Sequence, residues 1–146
     1  MYNWKLGLSI GNLTKEMFDD CAKNGVDVVE VSVGDNVLRE LDWNSVKQNA
    51  KDSGVGIWSL HLPFWGKPKI DPADMDKSVR EYTVEHFREL IGRSSELGAK
   101  IAVVHPALEP TKPEERATRV GYSQESMAKL AEIAAGYGMT VAVEDL

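Results

Sequence analysis

The sequence predicts an α/β fold built around a parallel β-sheet. Five short, apolar, β-branched segments alternate with four amphipathic segments along the 146 residues. Strict alternation of strands and helices is typical of parallel sheets joined by right-handed crossovers. The strand segments are almost continuously apolar, which is typical of strands buried on both faces. They cover residues 6–10, 26–33, 55–62, 101–105 and 140–144.

The predicted helices have recognisable beginnings and ends. In the first, Thr14 is a candidate N-cap, and Asn24 with Gly25 forms a stop signal. The second begins near Asp42 and ends at Gly54. The third begins within the acidic stretch 71–76 and ends before position 98, and the fourth runs from near position 123 to positions 136–138. The polar stretch 109–122 is then the longest predicted loop.

The composition is that of an ordinary globular protein, with 42% hydrophobic and 27% charged residues. The net charge of −6 lacks the basic footprint of a duplex-binding domain, so nucleic acid is not an expected partner. The single cysteine is compatible with a reducing compartment. Because no membrane span or signal peptide is evident, we expect a cytoplasmic protein that does not contact a membrane.

Four of the predicted strands place an ionisable residue near their C-terminal end. These residues are Glu30, His61, His105 and Glu144. In parallel α/β sheets the active site lies at that end of the strands. Since burying such a group without a partner costs several kcal/mol, chemistry is expected where they meet.

The alternation of side chains along a strand sharpens this prediction. It assigns Ile57, Ser59 and His61 to one face of the third strand. By the same rule His105 shares a face of the fourth strand with the residues two and four positions before it, and Glu144 does so in the fifth strand. If these faces line a barrel, two imidazoles and one carboxylate converge at its mouth. They are the ligand types of a Zn²⁺ or Mn²⁺ site, with Mg²⁺ as a further candidate.

Each residue also has a simpler interpretation. Either histidine alone is compatible with a satisfied structural role, Glu30 with an ion pair at a barrel rim, and Glu144 with a solvated carboxylate. His86, on the third helix, reads as a surface or packing residue. The coincidence of position on successive strands is what favours the metal site.

Aromatic residues follow the third strand. Pro63 ends that strand abruptly, and Phe64 and Trp65 come next in the loop. Such a pair can form an apolar wall against a sugar ring, and it can equally pack on its own scaffold. We therefore consider Phe64 and Trp65 candidate substrate-binding residues.

The ordered set of strand motifs resembles the xylose isomerase-like TIM barrels, which include sugar phosphate isomerases and epimerases and the related endonuclease IV. The motifs are KLGLSIG, VDVVEVS, SLHLPF, VVHPAL and VAVEDL. The resemblance implies a (β/α)8 barrel with a divalent metal at its C-terminal mouth. Eight strands need about 250 residues, so we expect residues 1–146 to be a single domain, the N-terminal part of a barrel with five strands and about four helices. An open, five-stranded, flavodoxin-like sheet is the alternative fold.

The resemblance also implies roles for individual residues. His61 and His105 resemble metal ligands of the endonuclease IV-like members, and Glu144 resembles a ligand that is also an acid/base residue in the epimerases. Glu30 resembles a glutamate of the isomerase branch that acts on the substrate side. The family's further ligands, on the sixth to eighth strands, have no counterpart in the sequence.

The resulting hypothesis is a metal-dependent sugar or sugar phosphate isomerase or epimerase. A carboxylate would move a proton next to a carbonyl through an enediolate, on a sugar or polyol-type substrate. One alternative is a metal-dependent nuclease like endonuclease IV, which the negative charge opposes. Another is a non-catalytic half-barrel that pairs with a second copy through its exposed strand edges.

Overall fold

The computed structural model describes residues 4–144, in which five parallel strands alternate with helices. The strands are β1 (Gly7–Ile10), β2 (Val28–Val31), β3 (Gly56–His61), β4 (Ile101–Val104) and β5 (Thr140–Val143). The helices are α1 (Lys15–Lys23), α2 (Asp35–Glu40), α3 (Trp43–Ser53), α4 (Lys77–Glu96) and α5 (Arg116–Gly136). No helix within this described range is both long and apolar enough to cross a bilayer.

The strands are hydrogen-bonded in the order β1-β2-β3-β4-β5, and every pair is parallel. The order never reverses, so the sheet is wound in one direction, as in a TIM barrel. A flavodoxin-like sheet has its first two strands exchanged, in the order 2-1-3-4-5. The alternative fold is therefore wrong, and the partial barrel is confirmed.

The core lies between the sheet and its helices. Register partners on neighbouring strands present one apolar face, which includes Val29, Leu60 and Ala102, all at most 1% exposed. Phe18 of α1, Phe87 of α4 and further helical residues belong to the same buried cluster. The opposite face of the sheet carries Ser9, Glu30 and the other polar strand residues.

Where β3 pairs with β2, it contains one extra residue. Val29 pairs with Ile57, and the next residue of β2, Glu30, pairs with Ser59, so Trp58 is the extra residue of a β-bulge. The predicted common face of Ile57, Ser59 and His61 is therefore wrong for Ile57. That side chain is only 5% exposed and joins the core, whereas Ser59 and His61 face the other way.

The caps predicted for the first two helices of the sequence, which are α1 and α3, are confirmed. Thr14 caps α1 by accepting a hydrogen bond from the Met17 N–H, and Asp42 caps α3 by accepting from the Asn44 and Ser45 N–H groups. Gly54 ends α3 in the left-handed conformation, with a φ of 73°, which glycine adopts at little cost.

Two helical features differ from the prediction. The six-residue helix α2 was not predicted, because it is too short to show an apolar period. Helix α5 begins at Arg116, well before the predicted start near position 123. Its first turns contain Arg119, which is only 8% exposed because it forms an ion pair with Asp71. A hydropathy pattern treats arginine as polar, so it cannot reveal this burial.

The Asp71–Arg119 pair joins the two long loops after β3 and β4. Arg119 Nη2 donates to Asp71 Oδ2 and to the Leu108 carbonyl, each at 2.9 Å. Asp71 Oδ1 accepts from the N–H groups of Ala73 at 3.0 Å and Leu108 at 3.2 Å. Asp71 thereby fastens the loop after β4 to the loop after β3.

We predict that Asp71→Ala destabilises the protein by about 3–5 kcal/mol, because it leaves the buried Arg119 guanidinium without its carboxylate. The free energy of unfolding in urea measures the loss. Lys112→Ala, which removes only the solvent-exposed pair with Glu115, is the matched control and should cost less than about 1 kcal/mol. Equal losses in the two variants would contradict a structural role for the Asp71–Arg119 pair.

Candidate metal centre

Three of the four predicted site residues meet at the C-terminal end of the sheet. His61 ends β3, and His105 and Glu144 directly follow β4 and β5. Glu144 Oε2 lies 3.1 Å from His61 Nε2 and 3.9 Å from His105 Nε2. The ring centroids of the two histidines are 4.9 Å apart. The side chains of His61 and His105 are 12% and 4% exposed, whereas that of Glu144 is 55% exposed.

Backbone carbonyls orient both imidazole rings. His61 Nδ1 lies 3.0 Å from the Leu62 carbonyl oxygen, and His105 Nδ1 lies 3.2 Å from the Glu144 carbonyl oxygen. A carbonyl can only accept, so these two hydrogen bonds form in the tautomer that carries the proton on Nδ1. In that tautomer each Nε2 presents its lone pair toward the Glu144 carboxylate. Histidine ligands of metals are fixed in this way by a hydrogen bond at the other nitrogen.

These donors fit a divalent metal. An unprotonated nitrogen and a carboxylate oxygen both present lone pairs, so the short contact of His61 with Glu144 requires a proton or a cation between them. The three ligand atoms lie within 4.8 Å of one another. Ligands about 2.1 Å from a tetrahedral ion are about 3.4 Å apart, so small side-chain rotations would let all three reach one ion.

Phe64 packs against both histidines. Its ring meets that of His105 edge to face at 5.0 Å, and that of His61 at 6.1 Å. Phe64 is still 42% exposed, and the neighbouring Trp65 is 58% exposed. Phe64 therefore lies beside the histidines with part of its ring open to solvent, and Trp65, the next residue of the loop, is also exposed.

Glu30 does not join this cluster. The sheet register pairs it with Ser59, two residues before His61 on the same face, so it lies deeper in the sheet. Its Oε1 accepts from Ser9 Oγ at 3.1 Å and its Oε2 from Ser59 Oγ at 3.0 Å. Its partners are therefore hydroxyl groups, not the Lys or Arg of the rim ion pair considered from the sequence.

Some groups that shape the site were not predicted from the sequence. The orienting carbonyls carry no side-chain signal, and Ser9 could have been found by pairing β1 with β2. His86 is a packing residue rather than a surface residue, since it is 9% exposed and its Nε2 lies 2.6 Å from Asp35 Oδ1.

A parallel sheet wound in one direction, with ionisable side chains at the C-terminal ends of its strands, defines a partial barrel of the β/α class. The chain belongs to the xylose isomerase-like TIM barrel family, whose family model matches residues 18–146. An uncharacterized protein of Methanocaldococcus jannaschii is 30% identical over 88 residues, which are 60% of this chain and 29% of that protein.

Solved structures share the fold. A D-tagatose 3-epimerase-like protein superposes with a TM-score of 0.80 at 25% identity, over 98% of this chain and 53% of its own. The 3-keto-D-glucoside 4-epimerase of E. coli gives 0.79 at 20% identity, over 99% and 57%. A D-psicose 3-epimerase, solved in the presence of D-fructose, gives 0.78 at 17% identity, over 96% and 52%. The chain thus spans about half the length of these structures.

We predict that His61 and His105 carry their proton on Nδ1, whereas His86 carries one on Nε2, where it faces Asp35. The protein contains only these three histidines, so ¹⁵N-labelled histidine and NMR of the ring nitrogens can separate them. His86 is the internal control. An unprotonated Nδ1 on either site histidine would contradict the orientation by backbone carbonyls.

Proposed function

We propose that the chain carries the divalent metal site of a sugar isomerase or epimerase, with Zn²⁺ or Mn²⁺ as the preferred ion and Mg²⁺ as a weaker candidate. The observation that supports it best is the convergence of His61 Nε2, His105 Nε2 and a Glu144 carboxylate oxygen. Two imidazoles and a carboxylate suit first-row divalent ions better than they suit Mg²⁺, which prefers oxygen ligands.

The proposed reaction is proton transfer next to a carbonyl, through an enediolate. A bound ion would polarise the carbonyl and the neighbouring hydroxyl of the substrate. The contacts of Glu144 with the histidines run through Oε2, and the side chain is half exposed. Its Oε1 is therefore available to take the proton from the substrate carbon and to deliver it to the neighbouring carbon of the enediolate.

The substrate would approach from the exposed side of Glu144 and lie against the aromatic loop, which is the loop after β3 that contains Phe64 and Trp65. Phe64 offers exposed ring surface next to the histidines, and Trp65, the following residue, is also exposed; such surface suits the apolar face of a sugar. Glu30, held by two hydroxyl groups, would act as a second substrate-side carboxylate deeper in the sheet.

Sugars are the proposed substrate class because the similar structures are described as epimerases of D-psicose and of a 3-keto-D-glucoside, and as a D-tagatose 3-epimerase-like protein. Since the chain spans about half of their length, we propose that residues 1–146 correspond to the N-terminal part of such a barrel. Further groups at the same mouth would complete the reaction, whereas exchange of the proton next to the carbonyl needs only a bound metal and Glu144.

Mn²⁺ and Zn²⁺ should each bind with a stoichiometry of one, measured by calorimetry on protein stripped of metal. His61→Ala, His105→Ala and Glu144→Gln should each weaken binding at least about tenfold, because each removes or neutralises one donor. Glu85→Gln alters a carboxylate that pairs only with Arg88 on the surface of α4, and it should leave the affinity unchanged. No saturable binding by the unaltered protein would overturn the metal site.

Proton transfer itself can be followed by deuterium exchange. With Mn²⁺ in deuterated water, the protein should catalyse the incorporation of deuterium into D-fructose at a carbon next to its carbonyl. Glu144→Gln should lower the rate by about a hundredfold or more, since it removes the proposed base. Glu30→Gln tests the second carboxylate, and a rate equal to that of the unaltered protein would remove Glu30 from the mechanism. Metal binding without any exchange would overturn the isomerase proposal and leave the metal site standing.

A further inference from the structure

We propose that Gly66, packed against a buried cluster around Asp35, is a positioning residue that holds the aromatic loop over the two histidines. The consequence for sugar binding rests on the function proposed above.

The cluster fixes the carboxylate of Asp35, which is 3% exposed at the start of α2. Its Oδ1 lies 2.6 Å from His86 Nε2, and its Oδ2 accepts from Arg39 Nε at 2.7 Å. Arg39 also donates to the Tyr82 hydroxyl, and the Tyr82 and His86 rings are stacked with centroids 5.8 Å apart. The hydrogen bonds with Asp35 and then Tyr82 raise the pKa of Arg39, so its guanidinium stays charged.

Gly66 lies against this carboxylate so closely that no side chain fits. A Cβ at position 66 would be 2.7 Å from Asp35 Oδ2 and 2.7 Å from Ile70 Cδ1. Neither neighbour has room to yield, because Asp35 is held from two sides and Ile70 is 1% exposed. An added methyl group must therefore displace the backbone of the loop.

The displaced backbone is the one that carries the aromatic residues. Gly66 directly follows Trp65 and lies two residues after Phe64, whose ring packs on His105 at 5.0 Å. The histidines themselves are held by β3, by β4 and by backbone carbonyls, none of which Gly66 touches. Moving the loop should therefore displace the rings of Phe64 and Trp65 and leave the proposed metal ligands in place.

Gly66→Ala tests this directly. Phe64 shifts the ring-proton resonances of His61 and His105, since its ring lies edge to face with theirs. Phe64→Leu defines the resonance positions when that ring is absent. The Gly66→Ala resonances should move toward those of Phe64→Leu. Gly121→Ala adds the same methyl group where nothing lies within 4 Å, and it should leave the resonances unchanged.

Two further measurements test the role of Gly66. Arg39→Gln removes one of the two groups that hold Asp35 without touching Gly66, so it should give a smaller shift in the same direction even if Gly66→Ala fails to fold. In Gly66→Ala, D-fructose affinity should fall about tenfold or more, because a misplaced wall costs binding, while Mn²⁺ affinity stays close to that of the unaltered protein.

The outcomes separate the two proposals. Unchanged histidine resonances in a folded Gly66→Ala variant would overturn the positioning role, whatever the protein binds. Shifted resonances in a protein that binds no D-fructose would support the positioning role and count against the sugar substrate. A parallel loss of Mn²⁺ affinity would show that Gly66 acts on the ligands themselves, which would also overturn the inference.

Discussion

The extra residue Trp58 in β3 is the constraint on which the site depends. A regular β3, in which Trp58 took an ordinary paired position, would place Ile57 on the same face as His61. With the bulge, Ile57 pairs with Val29 and enters the core, while Leu60 still pairs with Val31 toward the helices. Strand β3 therefore buries Ile57 and Leu60 toward the helices and still presents Ser59 and His61 on the polar face. A single irregularity reconciles packing with chemistry.

The site is rigid because groups outside the ligand set hold it. The histidine rings are oriented by main-chain carbonyls, which side-chain variation cannot remove. The loops that follow β3 and β4 are fastened to each other by the buried Asp71–Arg119 pair, and the Asp35–His86 contact joins α2 to α4. Breaking such buried pairs costs far more than breaking exposed ones, so these contacts fix the surroundings of the site more firmly than surface ion pairs could.

Most of the fold could be predicted from the sequence, because its signals are local. The strands were visible as apolar runs, and the caps Thr14 and Asp42 as polar residues before helices. The convergence of His61, His105 and Glu144 followed from their equivalent positions in parallel strands. The bulge, the early start of α5 and the burial of His86 depend on contacts between distant segments. Glu30 shows the same limit, since its serine partners lie on two other strands.

The gradient of burial across the three candidate ligands gives the site a direction. The side chains of His105, His61 and Glu144 are 4%, 12% and 55% exposed, so the histidines form an ordered inner side and the carboxylate an accessible outer one. Buried, hydrogen-bonded imidazoles lose little entropy on binding an ion, whereas an exposed carboxylate keeps the freedom to turn between two partners. Three protein donors with an open side are also the arrangement of catalytic rather than structural zinc sites. Glu144 is therefore the residue at which metal binding and proton transfer would meet, and the histidines would serve the first of these tasks.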